Sequence, residues 1–265
     1  MDKSVLPGDI LPAREAIKKI PEIDLGPPIE VPPIPADANP ENISGEERRF
    51  LHNEIKRLKK EKNALVLAHN YEPPDVQDAA DFIGDSLHLA KMGRDSDADV
   101  LVEASVLFMN QILAVMKKPH QKVLAPSLKA LCSLAAHADA DKVRAWKADH
   151  PDGKVISYVN TYLDIKVLSH ICCASANAAK VIEHVTETYP ESPILFLPDI
   201  FLGYYAMNLL KKMGRSTDNL WLMMGACHVH EKITAHQVMK QRALHPDAAV
   251  VAHMDAADLV KPKAF

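Results

Sequence analysis

Two stretches of the chain, "CSLAAHADADKVRAWKADHPDGKVISYVN" at residues 132–160 and "CHVHEKITAHQVMKQRALHPDAAVVAHMD" at residues 227–255, align without a gap at an offset of 95. Each opens on a cysteine, reaches a His-Pro-Asp turn 18 residues later, and carries a polar side chain 8 residues past that histidine: Tyr158 in one, His253 in the other. A shared register of cysteine, helical pattern, turn and apolar run reads as duplication of a whole domain. "KKEKNALVLAHNY", at residues 59–71, reads as a further copy, with Glu61 at the place of the turn histidines and His69 following it by 8.

Working outward from the repeat, apolar runs alternate with helical patterns along the chain: "ALVLAHNY", "ADVLVEAS", "KVLAPS", "KVISYVN", "HICCAS", "PILFLPD", "NLWLMMGAC" and "AAVVAHMD". This alternation predicts parallel α/β organisation. The expected fold is α/β, built of repeated three-layer α/β/α units with short parallel sheets in a pseudo-threefold arrangement. Residues 44–136 and 137–228 are expected as two units, and 229–265 as the start of an incomplete third. Nine of the nineteen prolines lie in the first forty residues, so residues 1–43 read as an extended arm. A helix is expected from Ser44, whose hydroxyl can cap while Glu47 reaches back, with Leu51, Ile55 and Leu58 as its apolar stripe.

With 265 residues, 48% of them hydrophobic, the chain can bury a sizeable core. A net charge of −4 without a concentrated basic block argues against nucleic acid or a membrane surface as partner and favours small-molecule chemistry. No apolar run approaches a membrane span and the N-terminus lacks a signal-peptide segment, so the cytoplasm is expected. There the four cysteines are either buried thiols or ligands rather than disulfides. No G-x-G-x-x-G or G-x-x-x-x-G-K-[ST] is present, so any phosphate is held without the usual glycine-rich cradle.

Ligands of open parallel sheets bind beyond the carboxyl ends of the strands, where the repeat places His69, Tyr158 and His253. Under pseudo-threefold symmetry the repeat cysteines converge, and three thiolates without a fourth protein ligand suit an iron-sulfur cluster with one open iron. A single cysteine is ordinarily a small buried hydrophobe; the common register of Cys132 and Cys227 favours ligation. Cys172 and Cys173 have no counterparts and read as core. A competing pattern is a zinc site of Cys227, His228 and His230 with Glu231 as base, which requires a strand there; Thr234 and Gln237 form a capping-box pattern and point to a helix instead. Ser86 and Ser175 stand at helix starts, able either to cap or to hold an anion.

Taken together, "AHNY", "DVQDAADFIGDSLHLA", "DADVLVEASVLFMN", "CSLA", "YVNT", "ICCASANA", "LPD", "CHVHEKIT" and "AHMD" make the chain resemble the quinolinate synthase family across residues 63–255. The resemblance implies a pseudo-threefold α/β/α protein that condenses iminoaspartate with dihydroxyacetone phosphate in NAD biosynthesis, using a [4Fe-4S] cluster held by one cysteine per domain. It implies Cys132 and Cys227 as cluster ligands. It implies Tyr71, Tyr158, Asn160 and Asp255 as catalytic positions that orient substrate and move protons. His69, Ser86, Ser175 and His253 match positions that hold carboxylates or phosphate. An L-aspartate oxidase supplying iminoaspartate is the implied partner, and a homodimer completing the ring is a further expectation.

Departures from the family pattern are specific. "GCSLAD" is "LCSLAA" here, "CGVHFM" is "ASVLFM" with Leu107 for a histidine, "CTSSN" is "CASAN", and "HPEC" is "HMDA", which leaves Asp255 at the glutamate position. The third cysteine has no counterpart, so a non-catalytic paralogue stands as an alternative beside the zinc hydrolase.

Overall fold

The computed structural model describes residues 8–19, 43–251 and 253. In chain order its elements begin with β1 (Ile10–Pro12), α1 (Ala13–Lys19), α2 (Gly45–Glu61), β2 (Ala64–His69), α3 (Pro74–Ala79), β3 (Phe82–Gly84) and α4 (Ser86–Asp95). They continue with β4 (Val100–Ala104), α5 (Leu107–Met116), β5 (Lys122–Leu124), α6 (Ser133–Ala136), α7 (Ala140–Asp149), β6 (Lys154–Tyr158), α8 (Leu163–Lys166) and β7 (Ile171–Cys173). A 3-10 turn at Ser175–Asn177 leads into α9 (Ala178–Thr188), followed by β8 (Ile194–Leu197), α10 (Ile200–Lys212), β9 (Leu220–Met223), α11 (His228–Glu231) and α12 (Ala235–Leu244). The chain divides into two compact units, one spanning Ile29–Cys132 and the other joining Met1–Pro28 to Ser133–Phe265. This is the expected α/β class, with short parallel sheets.

In the unit of Ile29–Cys132 the sheet runs β3-β2-β4-β5, all parallel. One face is sealed by α4 and α5, with Leu67, Leu89, Leu101, Phe108, Met109 and Leu113 buried between them. Gly93 permits that approach, since a Cβ there would lie 2.6 Å from Leu113 Cδ1. The other face meets α2, where Leu51, Ile55 and Leu58 oppose Val66, Val100 and Val102 across an apolar cavity of about 700 Å³. None of the α2 residues is fully buried. Its local stability therefore leans on Ser44 Oγ, which accepts from the Glu47 amide at 3.1 Å, and on the i,i+4 pair of Arg57 and Glu61 at 2.6 Å.

The second unit has the sheet order β1-β9-β8-β6-β7, parallel except for β1, which pairs antiparallel with β9. The continuous apolar run "ILFL" is β8, buried along its whole length as a strand covered on both faces must be. Val143, Trp146 and Ile165 pack with Val155, Leu195, Leu197 and Met223 on one side. On the other, α10 comes close enough that a Cβ on Gly203 would touch Leu222 and Phe196.

Residues 10–19, which composition reads as part of an extended arm, instead form β1 and α1. The only proline among them, Pro12, ends an edge strand, where a missing N–H is tolerated. The proline-dense stretch "IPEIDLGPPIEVPPIPADANP" lies outside the described residues. No helix among the described residues is long and apolar enough to cross a membrane.

The offset of 95 extends to the helix boundaries. The helical turn α6 at Ser133–Ala136 and the helix α7 at Ala140–Asp149 correspond at both ends to α11 at His228–Glu231 and α12 at Ala235–Leu244. The two turn histidines cap with nearly the same backbone, φ −130° and ψ 74° at His150 against φ −133° and ψ 70° at His245. The repeat stops there among the described residues: "AAVVAHMD", expected as a strand, carries no strand through Val251.

Candidate functional site

In the unit of Ile29–Cys132, His69 is the last residue of β2, in register with Gly84 at the end of β3. Its Nδ1 accepts from the Tyr71 amide at 3.3 Å, and the two rings meet edge to face at 4.6 Å. Burial holds the His69 imidazole below its usual range, partly offset by the Asp85 carboxylate. Tyr71 is 82% exposed. Asp85, not Ser86, caps α4, its Oδ1 accepting from the His88 amide at 2.8 Å. Ser86 is buried at the first helical position. His69, Tyr71 and Ser86 thus stand at one carboxyl edge of this sheet. Cys132, the last residue of the unit, is half-buried and immediately precedes α6. Leu107, at the place of the family histidine, begins α5.

In the second unit, Tyr158 ends β6, buried and in register with Cys173. Asn160 lies half-buried in the loop that follows. Ser175 opens the 3-10 turn, and its Oγ is 3.1 Å from His253 Nε2. The His253 ring in turn lies 5.7 Å from that of His230. The structure therefore brings Ser175 and His253 together and adds His230, which sequence considered only as a zinc ligand. Asp255 lies outside the described residues.

Cys227 is the N-cap of α11, half-buried, with its carbonyl accepting from the Glu231 amide at 2.9 Å. The loop before it is tight. A Cβ on Gly225 would sit 2.6 Å from the Pro198 carbonyl, and the Ala226 amide donates to His137 Nδ1 at 3.3 Å. Because the stretch is helical, His228 and His230 diverge by about 200°: the buried His228 faces His137, and His230 faces His253. The zinc set of Cys227, His228 and His230 does not gather, and no group of three or more His, Cys, Asp or Glu with metal-binding geometry occurs among the described residues.

Neither Cys132 nor Cys227 forms a disulfide. Cys173 is core as expected, with burial pushing its thiol up to about 12. Cys172 is not: strand alternation turns it outward, where its Sγ lies 3.1 Å from Ser157 Oγ.

A family model described as Quinolinate synthetase A protein matches residues 53–264. The chain belongs to the quinolinate synthase family. It is similar to quinolinate synthase of Pyrobaculum aerophilum, 45% identical over 204 residues, covering 77% of this chain and 63% of that protein. It is similar also to that of Chloroherpeton thalassium, 43% identical over 210 residues, covering 79% and 62%. For the Thermus thermophilus quinolinate synthase the figures are 42% over 203 residues, 77% and 62%. The chain thus spans about three-fifths of the length of the curated relatives it matches. Within this family assignment, β1 and α1 precede the matched region. Every expected site residue falls inside that region.

Proposed function

We propose that the chain carries quinolinate synthase chemistry, condensing iminoaspartate with dihydroxyacetone phosphate to quinolinate with loss of phosphate and water. The observation that carries this reading is the family match combined with polar side chains at strand ends, above all Ser175 with His253 and His69 with Tyr71. His69, Ser86, Ser175 and His253 hold the substrate's carboxylates or phosphate. Tyr71, Tyr158 and Asn160 orient it and move protons, with Asp255 as a carboxylate base.

The donor set fits an iron-sulfur cluster in kind: Cys132 and Cys227 are half-buried thiols in equivalent places, each directly before a four-residue helical turn. When bound, a [4Fe-4S] cluster supplies a Lewis-acidic iron that polarises substrate oxygen. The protein's own part is to bind the anionic groups, fix their orientation and exchange protons at the tyrosines. We place the protein in the cytoplasm, with an L-aspartate oxidase as the source of iminoaspartate and a second copy as partner.

Growth of a bacterium lacking its own quinolinate synthase, without supplied nicotinate, tests the proposal. Restored growth that Tyr158→Phe abolishes is expected; soluble expression without growth contradicts it.

A further inference from the structure

The backbone around Tyr158 and Asn160 is held from below by one lysine. After "YVNT" the chain makes the single helical turn α8 and ends it on Lys166, whose side chain runs back beneath the preceding loop. Its Nζ donates to Val159 O at 2.9 Å, to Thr161 Oγ1 at 3.1 Å, and to Thr161 O. An ammonium has three protons to give, and three oxygens of this loop lie within reach of them. The Thr161 hydroxyl, fully buried, passes its own proton to Tyr158 O at 3.0 Å.

The consequence is a loop whose oxygens are tied one by one. The carbonyls of residues 158, 159 and 161 are all engaged, the Val159 amide donates to Cys173 O at 2.7 Å, and the Thr161 amide donates to Val159 O at 2.9 Å. Asn160 is suspended between two clamped neighbours. We propose that Lys166 is a positioning residue, whose ammonium holds the 158–161 loop in the shape that presents Tyr158 and Asn160 to substrate. The proposal rests on the functional reading above and deepens it.

Burial draws the Lys166 ammonium down to about 8, while the negative charge of its neighbours Cys172 and Asp164, when ionised, favours its charged form. A cation kept in so costly a place, with three hydrogen bonds to one loop, is more than a solvated surface lysine. A brace serving stability alone would have no call on substrate turnover, and that difference is measurable.

The test uses the full chain, reconstituted anaerobically, as Lys166→Met and, should that variant fold poorly, Lys166→Gln. Amide exchange resolved by residue should quicken by about tenfold or more at Val159 and Thr161, with the core of β6 unchanged, because each amide loses the partner geometry that protects it. The kcat for quinolinate should fall by about tenfold or more with KM for dihydroxyacetone phosphate within about twofold, the signature of a misplaced catalytic group rather than a lost binding contact. Unchanged loop exchange overturns the clamp. Quickened exchange with wild-type kcat overturns its role in positioning. A wild-type chain that makes no quinolinate sinks the functional reading, and the exchange measurement still decides whether Lys166 fixes the loop.

Discussion

Ser175 Oγ and His253 Nε2 are joined at 3.1 Å across 78 residues of sequence, linking the start of the 3-10 turn before α9 to the segment beyond α12. The pair presents a hydroxyl and an imidazole side by side, a donor set for a carboxylate or phosphate oxygen. Ser175→Ala is expected to raise KM for the anionic substrate by about tenfold, corresponding to one hydrogen bond to a charged group. The melting temperature should change little, because Ser175 is only half-buried. Steady-state kinetics beside a thermal melt read both.

The proposed cluster ligation separates the cysteines by position. Cys132→Ser and Cys227→Ser should each strip iron and acid-labile sulfide from the reconstituted protein, since soft thiolates are what such clusters select. Cys172→Ser should retain both, because Cys172 lies outward on β7 beside Ser157. Iron retained in Cys132→Ser would remove that residue from the ligand set.

The loop into Cys227 tolerates no side chain at Gly225, where a Cβ would meet the Pro198 carbonyl at 2.6 Å. The obstacle is backbone and cannot swing aside. Gly225→Ala should destabilise the fold by about 2–3 kcal/mol and displace Cys227, read as a lowered denaturation midpoint together with reduced iron content.

Glu103 on β4 is fully buried, and neither carboxylate oxygen has a hydrogen-bond partner among the described residues. Burial raises its carboxyl from 4.5 to about 8. The folded state therefore holds a proton that the unfolded state releases. This group's contribution is most favourable below pH 4.5 and is lost as pH rises toward about 8. The loss amounts to on the order of 3 kcal/mol by neutral pH. Glu103→Gln, which cannot ionise, should flatten that decline; chemical denaturation of both proteins from about pH 5 to about pH 8 measures it. Parallel pH profiles would mean that Glu103 titrates normally.

Much of the fold was legible because burial leaves a pattern. "ILFL" reads as a doubly covered strand, and the Thr234-Gln237 pair reads as a helix start, found as a full capping box. The duplicated helices were visible as an offset and recur to the residue. What escaped did so for physical reasons. Composition dominated by proline hid a three-residue edge strand at Ile10–Pro12, and "AAVV" looked like a strand although the sequence cannot say whether a sheet is there to receive it. A lysine at the end of one helical turn reads as a solvated charge, so Lys166 is invisible until the loop folds over it. His230 was in view only as part of a competing zinc pattern, which requires a strand where the chain makes a helical turn.

The central claim is tested most directly by product. The anaerobically reconstituted chain is supplied with dihydroxyacetone phosphate and iminoaspartate generated in place, and quinolinate is quantified by chromatography. Quinolinate formed by the wild type and lost in Tyr158→Phe and Cys227→Ser is the predicted result. A folded, iron-loaded protein that forms none would contradict the account.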